Sequence, residues 1–388
     1  MNLKKSLVAV ALLFSALILA SCGNSSNTSS SSSSKNGTST SSTKSGSYQV
    51  TGQTNSSQYA GVIKNGKYLT SKSRGVTVSQ SSGNLMNLKS FEAGLQDISK
   101  NEFSTSKYIF QEGQYLSSDT VKNWLGRKSK SNADGLNPAS NGSTTPTGRN
   151  PIYLQSMEEQ DYVQKSGSKL KLSGITIGLA MNSVDYYRKT TYGAEYQTNI
   201  SDATLEKEGK AMAKEVLARL RKKKGLENIP IVIAVYKQAS NDSLVGGNFV
   251  SYSINKGNSI EKWKALDIKN VVFPLKSDES APNSNDSDAF SNFKSEVENF
   301  FPNLSGVTAQ AQYKNGSLQG MNVSVTTQFY SETEINSFTQ FLADQAEKYL
   351  PSGVKIDITV SSTTDGVQSF LSRSSTAKSF STHVFESY

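Results

Sequence analysis

The chain has 388 residues, and its 41 Lys and Arg against 32 Asp and Glu give a formal charge of +9 with the single His neutral. One Cys and one His exclude an intrachain disulfide framework and any zinc or iron–sulfur site that needs several such ligands. Hydrophobic residues form 35% of the chain, below the roughly 45–50% of compact domains, so part of the chain is expected not to fold. At about 150 residues per domain, the length predicts two domains with a remainder.

The N-terminus has the pattern of a lipoprotein signal peptide. Lys4 and Lys5 precede an apolar stretch, Leu7–Ala20, that is too short to span a bilayer comfortably. The sequence Leu-Ala-Ser-Cys-Gly over residues 19–23 is a bacterial lipobox, in which small residues flank the cleavage site. We therefore expect signal peptidase to remove residues 1–21 by cutting between Ser21 and Cys22. The alternative is an ordinary secretory signal that has a Cys at this position by chance.

Cys22, the only Cys of the chain, is the expected lipid-attachment site. A covalent diacylglycerol on its sulfur would hold the mature protein to the outer face of the cell membrane, and no other cofactor is predicted. Residues 24–47 contain 13 Ser, 4 Thr and no apolar residue, so they are predicted to form a disordered tether. We assign residues 22–58 to this lipidated tether.

Short elements open the first predicted domain, residues 59–276. The pair Asn65-Gly66 between two apolar runs predicts a hairpin over residues 61–69. The next predicted elements are a short helix over 91–98, a strand pair over 107–116 around Gly113, and a helix capped by Ser118 or Asp119 that ends at Leu125. Residues 126–150 are mostly polar and contain two Pro, so they are predicted to form a loop.

A strand, a helix and a second strand follow. Residues 170–181 have the apolar character of a buried strand, residues 204–224 are predicted to form a helix capped by Ser201 or Asp202, and residues 229–236 form a β-branched strand. The helix is expected to bury one face, made of Leu205, Met212, Val216 and Leu220.

The same order returns near the C-terminus. Residues 318–325 align with residues 172–179 at an offset of 146, a capping box at Ser331 and Glu334 starts a helix, and residues 354–360 are predicted to close the domain as a strand. An internal duplication would explain the recurrence, and so would the general abundance of such units.

The polar stretch 277–288 is the predicted linker, and residues 289–388 are the predicted second domain, which opens with a helix over 288–301. The predicted fold is α+β, with two unequal domains that each contain a strand-helix-strand unit.

The densest carboxylate cluster is Glu158, Glu159 and Asp161. Two of these carboxylates could serve as the acid and base of a wall hydrolase, provided that their separation suits glycoside hydrolysis. We favour a solvated acidic turn or helix start, because charge runs usually face solvent.

The candidate ligand-binding residues are aromatic and charged side chains that follow the strand ending at Met181. They are Tyr186, Tyr187, Arg188, Tyr192, Glu195 and Tyr196. Aromatic faces would supply contact area, and the charges would orient a wall polymer or peptide ligand. The alternative is that half of these residues are core aromatics of a long crossover.

Arg219 and residues 221–224 form a basic run at the end of the first long helix. Cations at that end complement the helix dipole, and contact with anionic lipid head groups or wall phosphate is the functional alternative. We expect no nucleic acid partner for a lipid-tethered surface protein. No enzyme activity is predicted, since the chain has no nucleotide-binding or His-based metal motif and a Ser-His-Asp triad could use only His383.

Several segments together resemble the CamS family of Gram-positive surface lipoproteins, which are described as sex-pheromone precursors. The segments are the lipobox, the Ser-rich tether, residues 110–116, residues 150–154 leading into Glu158 and Glu159, and residues 174–182 with residues 185–188. The resemblance covers nearly all of the chain from the lipobox onward. It implies that the named activity belongs to the discarded signal peptide.

The resemblance also implies a maturation route. After signal peptidase has cut, an intramembrane protease would release the C-terminal part of the signal, and trimming would leave a short apolar peptide that induces plasmid conjugation. The matching segment is Ser15, Ala16, Leu17, Ile18, Leu19, Ala20 and Ser21. The alternative is that this segment is only the apolar region that every lipoprotein signal contains.

Overall fold

A computed structural model of the chain describes residues 48–77, 84–277, 279–300, 306–329 and 331–386. The predicted signal peptide and lipobox, and the predicted tether up to residue 47, lie outside the described residues. Within the described ranges, no helix combines the length and the apolar character that a bilayer span requires.

Three short strands form a small sheet at the start of the described chain: β1 (Tyr48–Val50), β2 (Val62–Lys64) and β3 (Lys67–Tyr68). Between β2 and β3, Asn65 and Gly66 have φ of 52° and 72°, as the two central residues of a type I′ turn require. The predicted hairpin is therefore confirmed.

The first half of the molecule contains a six-stranded mixed sheet, three helices and a separate hairpin. The elements are α1 (Leu85–Ser99), β4 (Ile109–Glu112), α2 (Ser118–Leu125), β5 (Leu154–Ser166), β6 (Lys169–Met181), β7 (Val184–Arg188), β8 (Glu195–Asn199), α3 (Asp202–Arg221), β9 (Ile231–Lys237), β10 (Asn248–Asn255) and β11 (Lys264–Ala265). The strand order is β11-β10-β9-β6-β5-β4, and β6 and β9 are its parallel pair. Strands β7 and β8 pair with each other outside this sheet.

The second half contains another six-stranded sheet. Its elements are β12 (Ile268–Phe273), α4 (Ser284–Phe300), β13 (Gly306–Lys314), β14 (Ser317–Thr327), α5 (Glu332–Tyr349), β15 (Lys355–Ser362), β16 (Gly366–Arg373) and β17 (Ser381–Val384). The strand order is β12-β13-β14-β15-β16-β17, and β14 and β15 are the parallel pair.

The two halves repeat one topology. Each strand of the first sheet has a counterpart in the second: β11, β10, β9, β6, β5 and β4 correspond in order to β17, β16, β15, β14, β13 and β12. Neighbouring strands pair in the same direction, parallel or antiparallel, at every equivalent position of the two sheets. The register agrees as well, because Gly174 pairs with Tyr162 beside a bulge and Gly320 pairs with Gln312 beside the equivalent bulge. These two glycines are 146 residues apart, which is the offset of the sequence alignment. The α+β fold is confirmed, and a tandem duplication accounts for the topology, register and bulges together.

Helices cover the sheets on the faces that the apolar pattern predicts. Helices α2 and α3 cover one face of the first sheet, and the predicted inward residues of α3 are all buried there. Helix α1 covers the opposite face, where Phe91 and Leu95 pack with Tyr236. In the second half, α4 and α5 cover the face equivalent to that of α2 and α3, through Phe293 and Phe338 among others.

Serine caps begin three of the helices. The hydroxyls of Ser201 and Ser331 accept hydrogen bonds from the backbone N–H groups of Thr204 and Glu334, as predicted. For α2, the cap is Ser117 rather than Ser118 or Asp119, since the Ser117 hydroxyl accepts from the Thr120 N–H at 3.2 Å.

The boundary between the halves differs from the prediction. Strand β12 pairs along all six of its residues with β13 and buries Val271 and Phe273 in the second core, so the second sheet begins at Ile268. Helix α4 begins at Ser284, inside the predicted linker 277–288. Residues 354–360 do not close the domain, because β16 and β17 extend the sheet beyond β15.

Candidate functional site

The comparison of the halves singles out one end of the first sheet. Three connections are at least seven residues longer in the first half than in the second: residues 126–153, 182–201 and 238–247, whose counterparts are residues 301–305, 328–331 and 363–365. All three long connections meet the sheet where β6 and β9 end, because Leu154 pairs with Met181 and Met181 pairs with Lys237. Ligands of α/β sheets commonly bind outside the carboxyl ends of parallel strands. We call these three segments the accessory lobe.

The β7–β8 hairpin is the centre of the accessory lobe and carries all six predicted ligand-binding residues, with Tyr192 in its turn. Tyr187 lies opposite Tyr196, and their rings stack with centroids 5.7 Å apart. Arg188 lies opposite Glu195 with 3.6 Å between their charged atoms. The structure places the six residues on one hairpin, and none of the four tyrosines is a buried core aromatic.

A buried ion pair attaches the hairpin to the preceding loop. Arg149 forms an ion pair with Asp185, and both side chains are almost inaccessible to solvent. Asp185 also accepts the backbone N–H of Ile152 at 3.0 Å, and the Arg149 guanidinium lies 3.9 Å from the centre of the Tyr187 ring. Removing one partner of a buried ion pair typically costs about 3–5 kcal/mol. The hairpin therefore has a fixed position on residues 126–153.

The turn of the hairpin forms the exposed tip of the lobe. Tyr192 is 96% exposed and has a φ of 62°, a left-handed conformation that is uncommon outside glycine. Lys189 lies 4.1 Å from the centre of the Tyr196 ring. Residues 188–192 line an open concavity of about 750 Å³. Its aromatic ring, cations and Thr hydroxyls can contact a sugar ring or a peptide and orient an anionic group.

The third segment of the lobe, residues 238–247, contacts both halves of the molecule. The backbone N–H of Asn241 donates to the Tyr186 hydroxyl at 3.1 Å. On the other side, Asn270 of β12 donates to the carbonyls of Gly246 and Gly247 at 3.0 and 2.9 Å, and Gln310 donates to the carbonyl of Leu244 at 2.7 Å. The lobe is thus joined to the second sheet as well as to its own.

The sequence did not single out Arg149 or residues 238–247. Arg149 stands in a polar loop with no motif, and its role depends on a partner 36 residues away. The repeat did contain a signal for the hairpin. When the two strand-helix-strand units are aligned, residues 182–201 form an insertion in the first unit.

The carboxylate cluster is not a solvated turn, so the favoured interpretation is wrong. Glu159 and Asp161 lie on β5 and are buried. The two oxygens of Glu159 accept the N–H groups of Tyr115 and Leu116 at 2.8 and 2.7 Å, and Asp161 accepts the N–H of Gln114 at 3.0 Å. These bonds also explain why residues 114–116 form no strand, against the prediction of a pair around Gly113. The carboxylates hold a loop in place.

Burial changes the protonation of this cluster. Burial and the neighbouring Glu159 raise the pKa of Asp161 well above its ordinary value, and a protonated Asp161 can donate to Glu159. On the opposite face of β5, burial raises the pKa of Glu158 to about 8, although the amide of Gln160 donates to its carboxylate at 2.7 Å. Glu158 therefore keeps its proton at neutral pH.

The basic run of α3 divides into structural and exposed members. Arg221 is buried and donates to the carbonyls of Leu226, Ile229, Asn255 and Gly257. Arg219 lies over the Trp124 ring at 5.1 Å. Residues 222–224 are lysines that lie beyond the end of the helix. Within this basic run, they are the residues that could contact an anion.

The remaining candidates are His383 and any cluster of metal ligands in the described part of the chain. His383 lies exposed on β17 and contacts Phe385 edge to face. No group of three or more His, Cys, Asp or Glu residues there could hold a metal ion.

Comparison with known proteins identifies the family. The family model of the CamS sex pheromone cAM373 precursor matches residues 68–379. The crystal structure of a sex pheromone precursor from Lactobacillus salivarius subsp. salivarius UCC118 is 56% identical, with a TM-score of 0.85 over 88% of this chain and 100% of that chain. The C-terminal domain of the sex pheromone staph-cAM373 precursor from Staphylococcus aureus is 29% identical, with a TM-score of 0.67 over 78% of this chain and 98% of that one. No curated protein matches. The chain therefore belongs to the CamS sex pheromone precursor family.

Proposed function

We propose that the chain is a surface lipoprotein whose signal peptide is the source of a pheromone. Residues 1–21 would be cut off between Ser21 and Cys22, and the Cys22 sulfur would carry a diacylglycerol that anchors the protein to the outer face of the membrane. Further processing by an intramembrane protease would release residues 15–21, Ser-Ala-Leu-Ile-Leu-Ala-Ser. The lipobox, which holds the only Cys of the chain, and membership of the family support this function.

The pheromone is tested with synthetic peptide. Residues 15–21, added at nanomolar concentration to plasmid-bearing donor cells, should induce clumping and plasmid transfer. A peptide of the same composition in scrambled order is the matched control. In an apolar receptor pocket, one misplaced methylene changes the binding free energy by about 1–3 kcal/mol, so the scrambled peptide should bind more weakly. Equal responses to both peptides, or none to either, would contradict the proposal for those plasmids.

The anchor is tested by cell fractionation. Cys22→Ala should move the protein from the membrane fraction to the medium after a high-salt wash, which removes protein held by charge alone. The matched control is Ser21→Ala, which keeps both the Cys and a small residue at the cleavage site. Retention of the Cys22→Ala protein after the wash would contradict lipid anchoring.

For the folded part we propose a binding role for a wall glycan or peptide, with no catalytic activity. The supporting observation is that three connections much longer than their counterparts in the second half converge at the carboxyl ends of β6 and β9. Two of the three carboxylates considered for hydrolysis, Glu159 and Asp161, are instead hydrogen-bonded to a backbone loop.

The binding role is tested at the lobe tip. Tyr192→Ala removes a ring that is 96% exposed, so it should weaken binding to purified cell wall about tenfold without unfolding the protein. Tyr48→Ala, at an exposed tyrosine outside the lobe, is the control. Unchanged binding by both Tyr192→Ala and Tyr187→Ala would count against this choice of site.

A further inference from the structure

The net charge of the chain is confined to its N-terminal part. Residues 1–91 contain nine of the 41 Lys and Arg residues and none of the 32 Asp and Glu residues, so the charges of residues 92–388 cancel. Two of the nine cations, Lys4 and Lys5, belong to the predicted signal peptide. The other seven carry the whole net charge of the chain from Cys22 onward.

The N-terminal sheet brings part of this charge to one end of the molecule. Lys64 and Lys67, on β2 and β3, are both exposed. The sheet packs through Val62 against Ile109 and Val163, with Leu170 at the edge of the same cluster. Val163 and Leu170 lie just before and just after the tip of the β5–β6 hairpin, where Ser166 pairs with Lys169.

The hairpin tip adds three exposed lysines, Lys165, Lys169 and Lys171, to Lys64 and Lys67. We call these five residues the basic end. Two carboxylates lie close to the C-terminus of α1, and the segment after this helix packs Phe103 against Gly174 of β6. Both carboxylates are paired: Asp97 with Lys100 at 2.6 Å and Glu102 with Lys256 at 3.1 Å. The exposed Lys222 and Lys224 follow α3 and precede β9, so they lie toward the same end of the sheet.

The basic end and the accessory lobe lie at opposite ends of β5 and β6. Each strand has 13 residues, which at about 3.3 Å per residue separates the two ends by roughly 40 Å. The chain that leads from Cys22 joins the described structure at Tyr48, whose ring lies 5.8 Å from the Lys64 ammonium. The chain thus enters at the basic end.

We propose that the basic end rests on the anionic lipid head groups of the membrane that holds Cys22, so that the accessory lobe faces away from the membrane. This inference rests on the proposed lipid anchor. A diacylglycerol holds Cys22 at the bilayer but does not set the orientation of the folded part. Each Lys near an anionic surface strengthens contact roughly fivefold, within a Debye length of about 10 Å. The basic end therefore sets the orientation of the folded part relative to the membrane.

Vesicle sedimentation tests this directly. Residues 22–388 with Cys22→Ala, which carry no lipid, should sediment with vesicles that contain phosphatidylglycerol and not with pure phosphatidylcholine vesicles, and salt should release them. Replacing Lys64, Lys67, Lys165 and Lys169 by Gln should lower the partition coefficient at least about tenfold. The matched control replaces four exposed lysines outside the basic end by Gln: Lys89, Lys207, Lys214 and Lys378.

Equal binding to both kinds of vesicle, or equal loss in the two quadruple variants, would overturn the inference. Binding to a soluble glycerol phosphate polymer as tight as to the vesicles would also overturn it, because the surface would then serve the wall. Circular dichroism of both quadruple variants checks that each of them is folded. The protein in this experiment carries no lipid, so a negative result would not bear on the proposed lipid anchor. The anchor is tested separately by fractionation of cells that express Cys22→Ala.

Discussion

Two equivalent serines of the repeat are predicted to respond oppositely to the same substitution. Ser251 on β10 and Ser369 on β16 occupy the same register, since they pair with Val235 and Val360, and both are buried. Ser369 hydrogen-bonds at 2.8 Å to the hydroxyl of Thr339 on α5. The Ser251 hydroxyl has no hydrogen-bond partner among the described residues.

The reason lies in the helix above each serine. Eight residues after its cap, α5 has Thr339, whereas α3 has Gly209, which has no side chain to reach Ser251. A Cβ at Gly209 would lie 2.8 Å from Val235 Cγ1, so the first half has no room for the threonine. Only the second half has this hydrogen bond, although both halves have the serine.

The magnitudes follow from these contacts. Ser369→Ala removes a buried hydrogen bond and should destabilise the protein by about 1 kcal/mol. Ser251→Ala removes an unpartnered buried hydroxyl and should be neutral or stabilising by up to about 1 kcal/mol. In a protein of this size, the difference of about 2 kcal/mol corresponds to roughly 4 °C in Tm, measured by thermal unfolding at fixed pH. Equal destabilisation by both variants would refute the reasoning.

Three further predictions concern buried charges. Burial raises the pKa of Glu158 from 4.5 to about 8, so the folded state holds a proton that the unfolded chain releases; stability should fall as the pH rises from about 5 to 8, and Glu158→Gln should reduce that fall in Tm, with Asp161 accounting for the remainder. Arg221→Met should cost about 3–5 kcal/mol in denaturant unfolding because four backbone carbonyls, two of them buried, lose their donor, whereas the control Lys222→Met should change stability by less than about 0.5 kcal/mol. Asp185→Asn should leave Arg149 without its charge partner and make residues 126–153 sensitive to limited proteolysis, with equal proteolysis of wild type and variant as the contrary result.

Local rules predicted the helices well. The inward face of α3 and the caps at Ser201 and Ser331 follow from periodicity and cap chemistry, which act within a few residues. The Asn65-Gly66 turn belongs to the same class, because only a short polar pair tolerates two positive φ values. The six residues of the hairpin were grouped correctly for a similar reason, since a two-stranded hairpin keeps sequence neighbours close.

Long-range partners could not be read from the sequence. Glu159 and Asp161 resemble a solvated turn because the N–H groups that neutralise them come from residues 114–116, more than 40 positions earlier. Arg221 resembles a surface cation because its carbonyl acceptors lie after the helix and on β10. Residues 268–273 were predicted to belong to the first domain. They form β12 of the second sheet because they pair with β13, a contact that local sequence does not reveal.

The proposed function depends most on cleavage of the chain between Ser21 and Cys22 and on the lipid at Cys22. Mass spectrometry of the tryptic N-terminal peptide from membrane-purified protein measures both directly. The account predicts a peptide that begins at Cys22, ends at Lys35 and carries the mass of a diacylglyceryl group on sulfur. A peptide with an unmodified Cys22 thiol, or one in which residues 15–21 are still joined to Cys22, would contradict it.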